Sequence, residues 1–324
     1  MLRIATYNLE SFGGTRLDAD LLQPRIKALR PRLQDLEADI LCLQEVNAQK
    51  PQGATVRDFS ALEMLLKETC YADYHMAYST REEAPVPGDR HNLVLLSRFP
   101  VSACRALYQE HMEAPFWQPG HADPPQEAPE PVRFERPLLQ AQIDLGAKGT
   151  LHVFGVHLRA PIAAPIPGGK LSAQRWKSVP SWAEGYFLSA VKRAAQALDL
   201  RLAVDRVLDA NPDAFVLAAG DFNATSDASA LRLVRADCQE TGNPDLEDRQ
   251  LFQIDALLPQ KERATILHGG RGRTFDHILV SQALKARFSK VEIFNSDLAD
   301  ELFDAGTDAE NASFHAAVCA EFAL

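Results

Sequence analysis

The sequence predicts an α/β protein of the α+β kind, in which helices cover β-sheets. Three observations carry that expectation. Nine short apolar runs have the length and alternation of strands. A stretch around residue 200 repeats apolar residues at helical spacing. The strand-like runs also cluster, with helical patterns before and between them, the order expected when sheets bury a face under helices. With 324 residues, 46% of them hydrophobic, the chain has ample material for such a core.

In chain order the strands are expected over residues 2–8, 39–44, 92–97, 138–145, 150–158, 214–220, 275–281, 287–294 and 315–322. Leu17 to Leu36 repeats apolar residues around Pro24 and Pro31, and prolines inside such a pattern point to a broken helix. Residues 60–68 make a short helix candidate. The clearest helix is 184–210, with Phe187, Leu188, Val191, Ala194, Ala195, Leu198, Leu202 and Leu208 on one stripe. It should stop at Asn211-Pro212. No repeat or linker divides the chain, so 1–324 is expected to be one domain with two irregular insertions. Residues 109–137 carry seven prolines, and 159–183 carry four together with Gly168-Gly169. Loops of this length are often functional. All three tryptophans, Trp117, Trp176 and Trp182, fall in them.

Bulk chemistry narrows the classes. A net charge of -10 argues against a non-specific grip on long nucleic acid, although not against a locally basic cleft. The five cysteines are scattered without a C-x-x-C pair, which argues against a disulfide framework or a zinc site and for a reducing compartment. No apolar run approaches a membrane span. The chain opens on strand-like residues rather than a signal-peptide layout, so a cytoplasmic location is expected. No obligate protein partner is indicated.

Polar residues recur where apolar runs begin or end. Asn8 closes the first run, Gln44-Glu45 the second, His157 closes Val153-Val156, and Asp221 and Asn223 follow Phe215-Gly220. Asp276-His277 opens Ile278-Val280, and Ser313-Phe314-His315 opens Ala316-Cys319. Singly, each is most simply a turn former. As an ordered series they resemble the endonuclease/exonuclease/phosphatase superfamily, with its deoxyribonuclease I-like fold. The matching pieces are Ala5-Thr6-Tyr7-Asn8, Asp39 to Glu45, Leu95-Leu96-Ser97-Arg98-Phe99-Pro100, Val156-His157-Leu158, Gly220-Asp221-Phe222-Asn223, Phe275 to Leu279 and Ser313-Phe314-His315.

The resemblance implies a four-layer sandwich of two stacked mixed sheets flanked by helices, with the site at one end. It also implies hydrolysis of a phosphoester with a divalent metal. General chemistry agrees: a hard cation offsets the repulsion between an anionic diester and a hydroxide nucleophile. Oxygen donors such as Glu45 and the Asn8 side chain suit Mg2+ or Mn2+ better than zinc. By resemblance, Glu45 is the main metal ligand with Asn8 beside it. Asp221 would orient or deprotonate water, and Asn223 would fix the water and the phosphate. His157 would donate to a phosphate oxygen, and His315, held by Asp276, would act as a base or as a phosphate-binding cation.

Relatives usually carry Ser-Asp-His where this chain has Ser313-Phe314-His315, which puts a second metal position in question. Asp308 or Glu310 is a candidate substitute; the plainer reading is that six acidic residues between Asp297 and Glu310 form a solvated face. His277 should face away from Asp276 and be structural. His75, His91, His111, His121, His152 and His268 have no supporting motif.

For the substrate, residues 159–193 carry six basic residues against Glu184 alone, interleaved with Trp176, Trp182, Tyr186 and Phe187. They are either an anion-attracting, stacking rim or a loop pinned by aromatics beside a solvated helix. Arg136, Arg159, Arg175 and Lys177 are the candidate substrate contacts, and Gly269 to Arg273 is expected to be a flexible basic loop. The substrate is a phosphate ester. DNA or RNA is the leading reading, a small phosphorylated molecule or phospholipid head group the alternative, and a non-catalytic binding protein the third.

Overall fold

The computed structural model describes residues 1–14, 16, 18–307 and 311–324. Asp308 and Glu310, and Leu17 at the start of the first helical pattern, lie outside them.

Two six-stranded sheets stack face to face. The first is built from β1 (Leu2–Phe12), β2 (Ile40–Val46), β3 (His75–Tyr78), β4 (Asn92–Ser97), and later β11 (Phe288–Phe294) and β12 (Ala317–Phe322), in the order β11-β12-β1-β2-β4-β3. The second holds β5 (Val101–Leu107), β6 (Leu138–Asp144), β7 (Thr150–His157), β8 (Phe215–Asp221), β9 (Phe252–Gln253) and β10 (Asp276–Val280), in the order β9-β10-β8-β7-β6-β5. Each sheet is mixed. β1 and β2 run parallel at the centre of one, β7 and β8 at the centre of the other, and the remaining pairs are antiparallel.

Period-two alternation sorts the side chains into layers. Ile4, Ile40, Cys42, Leu95, Val153, Leu217, Ala219, Ile278 and Val318 meet between the sheets. Ala5, Tyr7, Leu9, Leu41 and Leu43 face α1 (Ala19–Leu36) and α2 (Ser60–Leu66). On the far side Phe154, Val156, Val216 and Ala218 pack under α3 (Val179–Ala210) and α4 (Ser229–Arg235). The resulting helix–sheet–sheet–helix order is the four-layer sandwich expected.

Three expectations need correction. α1 is one unbroken helix with Pro24 and Pro31 inside it. An interior proline costs about 3 kcal/mol, but Leu22, Ile26, Leu29, Leu33 and Leu36 all enter the core, each contributing roughly 1.5–3 kcal/mol. Burial therefore outweighs the lost hydrogen bonds. Second, α3 starts at Val179, capped by the Ser178 side chain on the Ser181 amide, so Trp182 lies in helix rather than loop. Third, the Gly269 to Arg273 segment belongs to a hairpin, Ile266–His268 paired with Arg271–Arg273. The Asp300 carboxylate accepts both turn amides, from Gly269 (3.0 Å) and Gly270 (2.7 Å). No helix among the described residues is long and apolar enough to cross a membrane.

Gly220 is where the two central strands of the second sheet come closest. Its φ is +151°, and a Cβ there would lie 1.9 Å from the Val156 carbonyl oxygen. Gly220→Ala should destabilise the fold by about 3 kcal/mol or more, read as a lower urea midpoint. An unchanged midpoint would show that the strands can part at no cost.

Candidate active site

The same alternation that builds the intersheet core places polar side chains at its end. Ile4 and Thr6 precede Asn8, Val153 and Gly155 precede His157, and Leu217 and Ala219 precede Asp221, so all three point between the sheets. Asp276 pairs with Asp221 across the antiparallel β8/β10 ladder and shares that face. His277 turns the other way and is buried on Asp255 (2.8 Å) and the Ala224 carbonyl (2.9 Å), a structural role as expected. Glu45 breaks the pattern. A register shift between Leu43 and Val46 marks a bulge, and Glu45 takes φ +58°, which re-aims its side chain towards the cluster. Glu10, Ser11, His91 and Asn223 also have positive φ. Such conformations persist only where surrounding contacts enforce them.

Asp221 is the hub. Its Oδ1 accepts the Asn223 amide at 2.8 Å, and its Oδ2 accepts the side-chain amides of Asn8 and Asn223, both at 3.1 Å. His157 Nε2 lies 3.5 Å from Asp221 Oδ2 and 3.5 Å from Glu45 Oε1. Arg136 Nη1 is hydrogen-bonded to the same His157 nitrogen. Glu45 Oε2 accepts the Ser11 amide (3.0 Å) and hydroxyl (3.2 Å) and sits 3.1 Å from His91 Nδ1. On the other flank His315 Nδ1 pairs with Asp276 Oδ2 at 2.8 Å. Ser313 Oγ donates to the Asn8 carbonyl (2.7 Å) and accepts the His315 amide (3.0 Å), tying that segment to β1.

Burial sets the charge states. It pushes the Asp221 carboxyl up to about 7, with the Asp276 charge adding to the effect and His315 opposing it. For Glu45 burial alone would raise the carboxyl, but the contact with His91 and the neighbouring His157 and Arg136 overcome it and hold the group well below the usual carboxylate range. Desolvation opposes the charge on His315, yet Asp276, Asp221 and Glu10 together push it up to about 10. His157 goes the other way: burial first, then Arg136, lower it well below the usual histidine value, so it is neutral. The cluster thus holds an ionised Glu45, a proton-accepting Asp221 and an imidazolium.

The donor set fits a hard cation. Asp221, Asp276 and His315 each bring one ligand atom within 4.8 Å of one another. Asp276 Oδ1 is buried without a hydrogen-bond partner among the described residues. His315 is a poor member of that set, because its Nδ1 is already spent on Asp276 and its charge repels a metal. By donor type and charge, Glu45 and the Asn8 side-chain oxygen could also hold such a cation. That oxygen also accepts the Glu10 amide at 2.9 Å.

The structure therefore gathers Asn8, Glu45, His157, Asp221, Asn223, Asp276, His315 and Arg136. Arg159 stands one step out, linked to the Arg136 backbone through Gln196. Arg175 is exposed in the loop before α3, and Lys177 is exposed and paired with Asp123 at 3.0 Å, so neither joins the cluster through a direct contact. Two residues escape sequence reasoning. One is His91, beside Glu45. The other is Glu10, whose Oε2 accepts the Phe314 amide at 2.7 Å and so brings a carboxylate to the segment where Phe314 replaces the usual aspartate. Spacing offered one clue to the latter: Glu10 follows Asn8 by two residues.

A family model described as the Endonuclease/Exonuclease/phosphatase family matches residues 5–300. Among solved structures, an endonuclease/exonuclease/phosphatase family protein from Leptotrichia buccalis C-1013-b superposes with a TM-score of 0.56 at 14% identity, covering 99% of each chain. An AP endonuclease from Archaeoglobus fulgidus gives 0.53 at 15% identity and covers 100% of each. D. rerio TDP2, complexed with single strand DNA product, gives 0.54 at 16% identity, over 98% of this chain and 97% of that one. No curated protein gives a significant match.

Proposed function

The chain belongs to the endonuclease/exonuclease/phosphatase family of phosphoric ester hydrolases, and on that premise we propose that it is a divalent-metal-dependent phosphodiesterase acting on DNA or RNA. One observation carries the reading: a buried Asp221 accepts hydrogen bonds from both Asn8 and Asn223, with Glu45 and His157 on one side and the His315–Asp276 pair on the other. Among chains of this fold, an AP endonuclease and a TDP2 complexed with single strand DNA product make nucleic acid the leading phosphate ester.

In this reading Glu45 and Asn8 hold Mg2+ or Mn2+. When bound, such an ion would supply positive charge that offsets the anionic phosphate and lowers the barrier to attack. Asp221 accepts the proton of the attacking water, and Asn223 fixes that carboxylate and the water beside it. His315, charged through its pairing with Asp276, acts as the cation facing the phosphate rather than as the base. Arg136 turns to the incoming phosphate and releases His157 Nε2, which is then free to bind an oxygen of the reacting group.

The pH dependence follows from these charge states. Asp221 must be ionised to accept a proton, so activity should rise as pH passes through about 7. It should fall again as His315 loses its charge near 10. A kcat/KM profile on a small diester from pH 5.5 to 10.5 checks this. A flat profile below 8 that is unaltered in Asp221→Asn contradicts the assignment of the base.

A panel of labelled single- and double-stranded DNA, RNA, bis-p-nitrophenyl phosphate, p-nitrophenyl phosphate and phospholipid, each with Mg2+, Mn2+ or EDTA, tests the function. Metal-dependent cleavage of polynucleotide is expected. Turnover of monoesters or phospholipid alone would replace it with the small-molecule reading.

A further inference from the structure

α3 is far longer than the sheet it covers. Its 32 residues span about 48 Å at 1.5 Å per residue, whereas the seven residues of β8 span about 23 Å. The helix packs through Ala197, Leu200, Ala203, Val204 and Leu208, all in its second half. As the crossover between the parallel strands β7 and β8 it runs back antiparallel to them, so its first half lies towards the end of the sheets that carries His157 and Asp221. Gly185 lets the preceding loop close against this half, because a Cβ there would meet the Ala164 carbonyl oxygen at 2.2 Å.

The inner edge of this half is organised. Gln196 is buried and clamps two strands of chain, accepting the Arg159 amide at 2.7 Å and donating to the Arg136 carbonyl at 2.9 Å. Arg193 donates to the Arg159 carbonyl at 3.0 Å, and Arg159 Nε approaches Ser189 Oγ at 3.4 Å. Arg136, Arg159 and Arg193 thus sit together, and among the described residues none forms an ion pair with a carboxylate. Their basic neighbours are spoken for: Lys192 pairs with Glu135 and Lys177 with Asp123. Burial lowers Arg136 and Arg193, and Arg159 lowers each further, the mark of like charges held close. Three arginines in no ion pair among the described residues, with Glu45, Asp221 and Glu135 as the carboxylates acting on them, lead away from His157 and make a seat for an anion beyond the reacting one.

Further out on α3 come aromatic rings. Tyr186 precedes Arg193 by two helical turns and Trp182 precedes Tyr186 by one. Their ring centroids are 5.6 Å apart at 33°, and they are 42% and 44% exposed. Isolated exposed aromatics are ordinary, but a pair in line with guanidinium groups that form no ion pair is the combination that binds unpaired bases and their phosphates. A duplex keeps its base faces stacked inside and cannot use such rings.

We propose that Arg159 and Arg193 hold the phosphate next to the scissile one and that Tyr186 and Trp182 stack the bases beyond it, so the substrate is a nucleic acid strand unpaired over the nucleotides that lie along α3. This rests on the nuclease reading of the site and adds strand state and direction to it. It also gives the first half of the helix a purpose that covering the sheet does not.

The test uses the full chain with Mn2+ and a fluorescein-labelled dT octamer, a blunt duplex of the same length, and bis-p-nitrophenyl phosphate. The wild-type protein should bind and cleave the octamer in preference to the duplex. Trp182→Ala with Tyr186→Ala should weaken octamer binding by about 10-fold or more, with the rise in KM larger for the octamer than for the small diester. Trp182→Phe with Tyr186→Phe should restore most of the loss, which a merely structural defect in the alanine variant would not explain if both melt alike. Arg193→Ala should flatten the slope of log Kd against log salt by about 0.7. Equal binding by the alanine variant and the wild type would overturn the proposal. So would a loss confined to vesicles of phosphatidylcholine and phosphatidylglycerol, which would make the rings a membrane contact. A wild-type enzyme that cleaves the small diester but neither binds nor cleaves any polynucleotide would instead remove the nuclease reading itself, and this inference with it.

Discussion

Asp221→Asn lowers turnover by roughly 10³-fold or more, the scale of a lost general base combined with a disturbed site, while the protein remains folded. Two effects on stability oppose each other. The ionised carboxylate is costly in its buried position, as its raised proton affinity shows, and asparagine removes that cost. Against this, Asp221 accepts three hydrogen bonds, and an amide in its place points an N–H at one of those donors. The melting temperature should therefore move by a few degrees at most. Joined with His315→Ala, the loss should be non-additive. His315 and Asp221 each shift the other's proton affinity, and residues acting in one chemical step do not lose activity independently. A double variant little worse than the worse single one is expected, and multiplicative losses would assign the two residues to separate steps.

Glu45→Gln should be as damaging for a different reason. Glu45 is the carboxylate kept ionised by its surroundings, and it is the oxygen donor that the bulge in β2 turns into the site. Glutamine keeps the shape and the hydrogen bonds from Ser11 but removes the charge a divalent cation needs. Turnover should drop by roughly 10³-fold, with affinity for Mn2+ weakened in parallel. High Mn2+ should recover part of the activity. Loss of activity with unchanged Mn2+ binding would move the metal to the Asp221–Asp276–His315 group.

Most of the core strands were plain in the sequence because they are buried on both faces and read as apolar runs, whereas the edge strand β11 showed through alternation, with Val291 and Ile293 inward. All nine expected strands are present, with ends displaced by a few residues. β3, β5 and β9 escaped notice, and all three are sheet edges. Val101–Leu107 has exposed or half-buried residues at every position but the last, so its pattern carries little hydrophobic signal. α1 was misjudged because proline is a local signal, while the apolar stripe that overrides it acts through packing. At the site, strand-end residues were legible as an ordered series of motifs that resembles the family; alternation then places Asn8, His157 and Asp221 on one face, while Glu45 arrives through the bulge in β2. His91 and Glu10 were not legible, since both enter through positive-φ backbone that no periodicity announces. Nor does a sequence say which basic residues are already paired: Lys177 and Lys192 form ion pairs, whereas among the described residues Arg159 and Arg193 form none.

The most direct measurement is the hydrolysis of bis-p-nitrophenyl phosphate by metal-stripped protein at pH 8, with Mg2+ or Mn2+ titrated back, for the wild type and for Glu45→Gln. Negligible turnover in EDTA, recovery on adding either ion, and a variant that needs far more metal for a small fraction of the rate are the results expected. Full wild-type turnover in EDTA, or a Glu45→Gln titration that overlays the wild type, would contradict a metal-dependent phosphodiesterase centred on Glu45.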